Sequence, residues 1–402
     1  MKTIVMFHGW ALFPIAQGSE RVIVEIARYL NGLPDIRLKL VLLGEEKETF
    51  RTEYAKICDE VVWLKMPRRW SFWSTLNKFV SRMGIDVLNS WCVSREIAGS
   101  VRKHVVGADA IIINYTSWFS LLPRNLRKTK TMVLTYDVGF YRRASFKGAD
   151  TLMKRFFVVL NRKCELRVLR SFNKIGVLAD YEANLLMSAG VETDSIIRIG
   201  MPITVAPRPR SAALIKYDFA FLGGKSYQNE EGVKCFFKRV APLLSKGNHT
   251  VAVIGAISGS TSLDSICIPK NFQLVRIGYV DDVQEPLQKC GIAVATLPYG
   301  SGIKVKVVES ILNGLPVILT NSGAEGIPVT PEGSINIDEQ PDGEVVKRIR
   351  AWLMDKEKLI RDGAAQERVV REAFSPEVCL LGLRKWVEEI NYASKLGIKK
   401  LL

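Results

Sequence analysis

Short apolar runs alternate with longer helical patterns along this chain of 402 residues. The alternation is typical of βαβ units, in which parallel strands are joined by helices that cover the sheet. A first series of predicted strands comprises residues 3–7, 38–43, 60–64, 86–89, 109–113, 131–135, 174–178 and 196–199. A second series comprises residues 217–222, 250–254, 273–277, 292–296, 316–319 and 335–337. The sequence therefore predicts an α/β protein with two doubly wound domains.

A proline-rich segment separates the two series of strands. Residues 201–211 contain three prolines, which prevent both helix formation and ladder pairing. We predict a first domain over residues 1–205 and a second over 206–375. The pattern after residue 343 is helical, and Pro376 is suited to the first turn of a final helix near 377–393. We treat residues 376–402 as a separate C-terminal segment.

Several classes of protein are excluded by motifs that the sequence lacks. The seven cysteines form no Cys-x-x-Cys pair and have no histidine at ligand spacing, so neither a disulfide framework nor a zinc site is expected. The Gly-x-Gly-x-x-Gly fingerprint and the Walker A loop are also missing, which excludes most dehydrogenases and P-loop enzymes. We read residues 3–7 as a strand rather than a signal peptide, and we predict no transmembrane segment.

The positive charge of the chain is concentrated in its first half. The formal net charge is +16, and residues 1–200 hold 31 basic and 19 acidic side chains, against 26 and 22 in residues 201–402. Residues 141–174 alone contain ten basic and two acidic residues. Such a concentration attracts anions, for example nucleic acid, anionic lipid headgroups or a phosphorylated substrate.

Residues 294–327 carry the strongest candidate site. The pattern predicts a strand that ends near Pro298, a glycine-bearing turn, and a helix of about ten residues that stops at Gly314. Free backbone N–H groups at residues 302–305 would form an anion site suited to a diphosphate. Glu309, two turns into the helix, could accept both hydroxyl groups of a ribose. The alternative is an ordinary helix with a solvated Lys306–Glu309 pair.

Five ordered motifs within residues 217–327 carry a resemblance to a known family. They read Phe221-Leu-Gly223, Asn229 before Gly232-Val233, Gly278-Tyr-Val-Asp-Asp282, Gly302-Ile-Lys-Val-Lys-Val-Val-Glu309 and Gly314-Leu-Pro-Val317. This segment resembles the donor-binding domain of retaining GT-B glycosyltransferases of family four, in the exopolysaccharide and capsule branch. The first half is similar through Gln17-Gly-Ser-Glu-Arg21, and Asp137 and Glu165 fall where the family has acidic residues.

The resemblance implies a fold and a set of site residues. The fold is GT-B, with two Rossmann-like domains facing a cleft and a C-terminal helix that returns to the first domain. The first domain would bind the acceptor and the second the nucleotide-sugar. The implied catalytic residues are Asp137, Glu309 and Lys304. The implied donor-binding residues are Gly18, Gly223, Lys225, Tyr279, Val280, Ser301, Gly302, Ile303, Lys306 and Glu309.

The sequence departs from the family pattern at three places. Ser301 stands where many relatives have a first glutamate, Gly224 where they have an arginine, and Tyr136-Asp137 where they have a histidine facing the sugar. Lys225, Lys304 and Lys306 would then neutralise the diphosphate. Asp137 would orient the acceptor or stabilise positive charge, although an aspartate after a strand can also simply cap a turn.

No metal or separate cofactor is expected. The chain has no Asp-x-Asp, so a metal-bridged diphosphate is not predicted. The co-substrate implied by the resemblance is a UDP- or GDP-linked sugar. Its departing phosphate would help to deprotonate an acceptor that attacks the same face of the sugar.

Two amphipathic segments bear on the acceptor. In residues 68–83 an apolar stripe is flanked by basic residues and tryptophans, which suits a helix in a bilayer interface but also a helix packed on the domain's own sheet. In residues 151–171 we predict that one apolar side faces the core, formed by Met153, Phe157, Leu160, Cys164 and Val168.

We expect a cytoplasmic enzyme, peripheral on the inner face of the cell membrane, that transfers a sugar to a lipid-linked or other saccharide acceptor in surface polysaccharide synthesis. A nucleotide-sugar 2-epimerase is the alternative, but its acidic pair and histidine are poorly matched by this chain's three histidines. A nucleic-acid-binding protein is not expected, because aromatic and basic residues do not interleave as in a known binding module.

Overall fold

The computed structural model describes residues 1–15, 18–65, 97–122, 126, 131–136, 138–140, 152–300 and 302–395. Contacts divide the chain into two compact units. The first contains Met1–Pro202 together with Pro376–Leu402, and the second contains Ile203–Ser375. The first division falls within the proline-rich segment, three residues before the predicted boundary at 205, and the second falls at Pro376 as predicted. The binding roles of the two domains remain predictions.

The described strands of the first unit form one parallel sheet. They are β1 (Lys2–His8), β2 (Ile36–Leu43), β3 (Glu60–Leu64), β4 (Ala110–Asn114), β5 (Thr131–Leu134), β6 (Lys174–Val177) and β7 (Ile196–Arg198). Their order across the sheet is β3-β2-β1-β4-β5-β6-β7. The order therefore reverses between β1 and β4, which is where ligands bind in doubly wound sheets.

The central strands of this sheet are apolar on both faces. Ile4 and Met6 on one face of β1 have no exposed surface, and neither have Val5 and Phe7 on the other face, as expected for parallel strands that helices cover on both sides. The helices of the first unit up to Pro202 include α1 (Gly18–Asn31), α2 (Arg51–Ala55), α3 (Leu152–Leu169) and α4 (Asp180–Ser188).

The second unit repeats this architecture. Its strands are β8 (Tyr217–Leu222), β9 (His249–Ile254), β10 (Phe272–Gly278), β11 (Cys290–Ala295), β12 (Val317–Leu319) and β13 (Ser334–Asn336), in the order β10-β9-β8-β11-β12-β13. The helices are α5 (Tyr227–Arg239), α6 (Gln284–Gln288), α7 (Val305–Leu312), α8 (Asn321–Ala324), α9 (Asp342–Met354) and α10 (Lys356–Ala373). The reversal lies between β8 and β11.

The last two helices return to the first unit. They are α11 (Pro376–Cys379) and α12 (Leu381–Lys395). Leu383 and Trp386 of α12 are buried. A Cβ atom at Gly382 would lie 2.2 Å from the carbonyl oxygen of Arg198 in β7. The helix therefore packs directly on the backbone of the edge strand.

The predicted α/β fold with two parallel sheets is confirmed. Strands 60–64 and 217–222 have the predicted bounds, and the other described strands differ from prediction by one or two residues at one or both ends. The strand predicted at 86–89 lies outside the described residues. The final helix begins at Pro376 as expected but is divided in two, because α12 starts anew at Leu381.

The prediction for residues 151–171 is confirmed for Val168, which packs on the core of the first unit, and is wrong for two other residues. The side chains of Met153 and Phe157 lie outside the described ones. Leu160 and Cys164, assigned to the core, are exposed on α3. Among the α3 side chains that the structure describes, the buried ones are Asn161, Leu166 and Leu169. Apolar spacing alone could not identify the inner face, because α3 has apolar residues on both sides.

No helix in the described part of the chain is both long enough and apolar enough to span a bilayer.

Candidate functional site

The carboxyl ends of β8 and β11 lie side by side at the reversal point of the second sheet. The loop after β8 leads into α5, and the loop after β11 leads into α7. Because parallel strands end at the same edge, both helix N-termini open onto this edge. The loops and the first turns of these two helices hold most of the predicted donor-binding residues.

The loop after β8 is held tightly by backbone contacts. The amide N–H of Gly223 donates to the Ile254 carbonyl (3.0 Å), and its carbonyl accepts from Ile257 (3.1 Å). A Cβ atom at Gly223 would lie 2.7 Å from Nδ2 of Asn229. That Nδ2 donates to the Gly224 carbonyl at 2.7 Å. Glycine at position 223 is therefore needed for the loop to close onto α5.

Lys306 lies in the first turn of α7 and reaches this loop. Its Nζ donates to Oδ1 of Asn229, and it lies 5.2 Å from the centre of the Phe221 ring. Burial, together with the charge of Lys304, lowers the pKa of Lys306 to about 7. The side chain therefore changes charge near neutral pH, and an anion bound beside it would favour the protonated form.

Lys304 occupies the N-cap position of α7. Its Nζ donates to the Gly302 carbonyl and lies 3.5 Å from Oε2 of Glu325. The side chain is only 12% exposed, so its charge acts with little screening by water. The sequence thus places a second cation within two residues of Lys306.

The N-terminus of α7 adds a favourable field for anions. The helix begins at Val305 rather than near Gly302, and its own hydrogen bonds start with the N–H groups of Val307 and Val308, which both donate to the Lys304 carbonyl. The helix dipole places partial positive charge at this end. Two lysines and a helix N-terminus therefore act together at one point.

Glu309 lies one turn beyond Lys306 on α7 and is half-buried. Its main-chain carbonyl accepts from Nδ2 of Asn313 at 2.8 Å, which fixes the backbone at this turn. The alternative reading of a solvated Lys306–Glu309 pair is disfavoured, because Lys306 is directed to Asn229 instead. The role of Glu309 as a ribose ligand remains a prediction.

Tyr279 and Val280 follow β10, which β9 separates from β8. Tyr279 is 65% exposed. Gly255, at the end of β9, connects the two loops: its N–H donates to Gly278 at 2.8 Å, and a Cβ atom there would lie 2.5 Å from the Gly223 carbonyl oxygen. The sheet edge therefore places Tyr279 and Val280 on the same side as Gly223, with one loop between them.

Sequence reasoning missed the importance of Asn229 and Gly255. Asn229 appeared only as a motif letter, yet it bridges the Gly224 carbonyl and Lys306. Its position just before a Gly-Val pair in α5 was the available signal. Ile303 is half-buried and Gly302 buried beside Lys304, whereas Lys225 is exposed on the loop after β8.

Two predicted residues, Asp137 and Ser301, lie outside the described residues. In the first unit Gly18 opens α1. Glu165 on α3 accepts from the main-chain N–H groups of Gly139 (3.0 Å) and Phe140 (2.8 Å). This carboxylate therefore supports the backbone just after position 137.

An aromatic cluster surrounds His8 at the carboxyl end of β1. The His8 ring is fully buried, and neither ring nitrogen has a hydrogen-bond partner among the described residues. Burial lowers the pKa of His8 to about 3, so the ring is neutral. The Trp10 ring packs on the His8 ring, with 4.3 Å between the ring centres. The indole N–H of Trp10 donates a hydrogen bond to Oε1 of the buried Glu20 at 2.9 Å. The sequence had given no role to His8.

Within the described ranges, no group of three or more histidine, cysteine, aspartate or glutamate side chains is placed to hold a metal ion. Metal independence remains a prediction about the reaction.

Comparison with known proteins gives one family match and several structural ones. A family model described as glycosyl transferases group 1 matches residues 216–355, all within the second unit. A search of curated proteins gave no match.

Solved structures match almost the whole chain at low sequence identity. TarM of S. aureus is 12% identical with a TM-score of 0.69, covering 97% of this chain and 99% of its own. HepE of Anabaena, in complex with UDP-glucose, is 12% identical with a TM-score of 0.65, covering 98% and 100%. Sucrose-phosphate synthase of Thermosynechococcus elongatus is 12% identical with a TM-score of 0.62, covering 98% and 100%.

The structural matches confirm the predicted GT-B fold, and the family match over residues 216–355 confirms the prediction of a glycosyltransferase enzyme. Retention and the exopolysaccharide branch remain predictions.

Proposed function

We propose that this glycosyltransferase takes a sugar from a nucleotide-sugar, with retention, and transfers it to a lipid-linked or membrane-anchored glycan during surface polysaccharide synthesis. The enzyme would work in the cytoplasm, on the inner face of the cell membrane. The donor would bind the second unit at the β8–β11 edge.

The observation that carries the proposal is the pair of lysines at the N-terminus of α7. Lys304 is largely buried, and Lys306 is held by Asn229 against the glycine loop after β8. When the glycosidic bond of a nucleotide-sugar breaks, negative charge builds up on the departing diphosphate. Preorganised cations and N–H groups stabilise that charge most strongly where water is excluded. This arrangement suits a leaving diphosphate.

Solved relatives support the identity of the donor and the type of acceptor. HepE has been solved with UDP and with UDP-glucose, and a TarM variant with UDP and α-GlcNAc-glycerol. We therefore favour UDP over GDP as the nucleotide, and a saccharide acceptor. The basic excess of residues 1–200 supports an acceptor that is itself anionic or lies at an anionic membrane.

The remaining roles follow from the family resemblance. In same-face attack, the departing phosphate accepts the proton of the acceptor hydroxyl, and Asp137 would orient the acceptor or stabilise positive charge on the sugar. Glu309 would accept the two ribose hydroxyls, with Tyr279 and Val280 near the base.

Slow hydrolysis of the donor without acceptor tests the assignment of Glu309. We expect Glu309→Gln to weaken UDP binding and to reduce turnover of a UDP-sugar at least about tenfold, because a hydrogen bond to a charged group contributes about 1.5–3 kcal/mol. Calorimetry with UDP measures the binding affinity, and chromatography of the reaction products measures the turnover.

Glu339→Gln is the matched control for this variant. Glu339 is an exposed glutamate of the same unit, so turnover should be unchanged. Unaltered kinetics in a folded Glu309→Gln variant would refute the role of Glu309. Formation of a 2-epimer of the sugar, in place of hydrolysis or transfer, would favour the epimerase instead.

Removal of divalent metals tests the role of the lysines. Turnover should survive EDTA, whereas Lys304→Ala should raise the donor KM or strongly lower kcat, because it removes a buried cation beside the expected diphosphate. Loss of turnover in EDTA with recovery on adding magnesium would contradict this prediction.

A further inference from the structure

The outer face of α3 has a composition unlike that of an ordinary solvated helix. Phe156 is 63% exposed, Val159 52% and Leu160 38%. These residues occupy positions i, i+3 and i+4, so they lie next to one another on one side of the helix. Contiguous exposed apolar surface of this kind marks a site of interaction with a protein or a membrane.

Basic side chains continue the same face. Lys163 and Arg167, at i+7 and i+11 from Phe156, are exposed, and so is Arg155 at the beginning of the face. From Phe156 to Arg167 the face extends about 16 Å along the helix axis. The one acidic residue of α3, Glu165, is half-buried and accepts from Gly139 and Phe140. The face therefore combines apolar and cationic groups without an outward-facing acid.

We propose that this face of α3 is the surface by which the enzyme attaches to an anionic membrane. The proposal extends the membrane location in the proposed function to a defined set of side chains: Arg155, Phe156, Val159, Leu160, Lys163 and Arg167. The apolar side chains enter the interface between headgroups and acyl chains, and the cations meet the anionic headgroups. The helix lies along the membrane surface.

The charge of the face favours a membrane over a second copy of the chain. A two-fold contact between copies brings the same surface of each subunit together. Lys163 and Arg167 of one copy would then approach those of the other, and such juxtaposition of like charges is unfavourable. An anionic bilayer instead offers opposite charge to the basic residues and an apolar layer to Phe156.

Vesicle flotation of the full chain tests the proposal. We expect binding to vesicles of phosphatidylglycerol and phosphatidylcholine but not to phosphatidylcholine alone. Raising the salt from about 0.1 M to about 1 M shortens the Debye length from about 10 Å to about 3 Å and should release the protein.

Two sets of variants separate the apolar from the cationic contribution. Phe156→Gln, Val159→Gln and Leu160→Gln together should weaken binding by about tenfold or more. Each cation removed should weaken it about fivefold, so Lys163→Gln with Arg167→Gln should weaken it about 25-fold. The fold should be kept, because glutamine has a high helix propensity and all these side chains are exposed. An unchanged thermal melt of each variant checks this.

The second unit offers matched controls. Met354→Gln with Val369→Gln replaces exposed apolar residues there, and Lys216→Gln with Lys270→Gln removes the same charge. Both control pairs should bind vesicles as tightly as the unchanged chain does. If the control pairs lose as much vesicle binding as the α3 variants, or if the α3 variants bind vesicles as tightly as the unchanged chain, the proposal is wrong.

A fluorophore on a cysteine locates the contact directly. Cys164 is exposed beside the proposed face, and Cys267 is exposed in the second unit. Two labelled chains are compared, both with Cys92 and Cys235 replaced by serine. In the first, Cys267 is also serine and an environment-sensitive dye is attached to Cys164; its emission should shift to the blue with anionic vesicles. In the second, Cys164 is serine and the dye is attached to Cys267; its emission should not shift.

Self-association of the chain is the competing outcome. If the chain does not bind vesicles but self-associates as its concentration rises, and the triple glutamine variant abolishes that association, the face contacts a second copy and the proposal is overturned.

The outcome does not depend on the donor reaction. Hydrolysis of a UDP-sugar without vesicles should be unchanged in the α3 variants, because none of these residues belongs to the donor site. A chain that binds vesicles through α3 but does not turn over the donor would overturn the proposed reaction alone, and the reverse result would overturn the membrane contact alone.

Discussion

Lys306 is the residue whose charge state the fold controls most directly at the candidate donor site. In the free enzyme, burial and the nearby charge of Lys304 lower its pKa to about 7. A bound diphosphate would raise that pKa, because an opposite charge favours the protonated form. Above pH 7, donor binding would therefore be coupled to the uptake of one proton.

This coupling predicts a specific pH dependence. Below about pH 7 Lys306 is already protonated, so donor affinity should change little with pH on its account. Above pH 7 affinity should fall by up to about tenfold per pH unit, the limit for one proton taken up. Titration calorimetry with UDP between pH 6 and 9, in buffers of different ionisation enthalpy, measures both the affinity and the proton uptake.

Two variants check the origin of this slope. Lys306→Met should lower affinity at pH 6 and flatten the profile above pH 7. Lys225→Gln, which removes an exposed lysine of the neighbouring loop, should lower affinity while leaving the slope in place. A Lys306→Met profile as steep as that of the unchanged chain would exclude Lys306 as the titrating group.

At the scale of elements, α7 is a short helix that the Lys306–Asn229 hydrogen bond holds at its N-terminal end and two arginines hold at its C-terminal end. Arg371 donates to the Leu312 carbonyl at 3.1 Å, and Arg210 donates to the carbonyls of Gly314 (2.7 Å) and Cys290. Burial lowers the pKa of Arg210 to about 10, which leaves it charged at neutral pH. Cations at a helix C-terminus are favourable. The helix that bears both site lysines therefore has little freedom to shift along its axis.

The sequence predicted the strands well because their signal is local. A parallel strand covered on both faces is a short apolar run, and such a run is visible in any window of the chain. The run before Gly223 identified β8, and the run before Pro298 identified β11, so the edge where Gly223, Lys304 and Lys306 meet could also be predicted.

What the sequence could not predict are contacts between distant segments. Lys306 and Asn229 are 77 positions apart, and their hydrogen bond depends on how α5 and α7 pack beside β8 and β11. The burial of Leu160 and Cys164 on α3 was mispredicted for the same reason. Apolar spacing indicates a helix, but the neighbouring elements decide whether Leu160 or Leu166 faces the core.

At the scale of the whole molecule, the first unit is built from both ends of the chain. Its edge strand β7 is followed at once by the second unit, and only α11 and α12 come back to cover it. The contact at Gly382 is close: an added Cβ atom would lie 2.2 Å from the Arg198 carbonyl oxygen and 2.8 Å from Cγ2 of Ile197. The stability of the first unit should therefore depend on residues far along the chain.

Two glycines test this dependence, since each is the second residue of its helix. Gly382→Ala in α12 should destabilise the protein by about 1–3 kcal/mol, because the methyl group cannot fit against β7. Gly343→Ala in α9, where an added Cβ atom meets nothing within 4 Å, should be neutral or stabilise by up to about 1 kcal/mol through helix propensity.

Hydrogen exchange read by mass spectrometry should show faster exchange in Gly382→Ala for peptides from β6, β7 and α12. Peptides from β8 to β13 should be unchanged, because the second unit has its own core. Equal effects of the two substitutions, or faster exchange spread over both units, would show that α12 does not act on the first unit in this way.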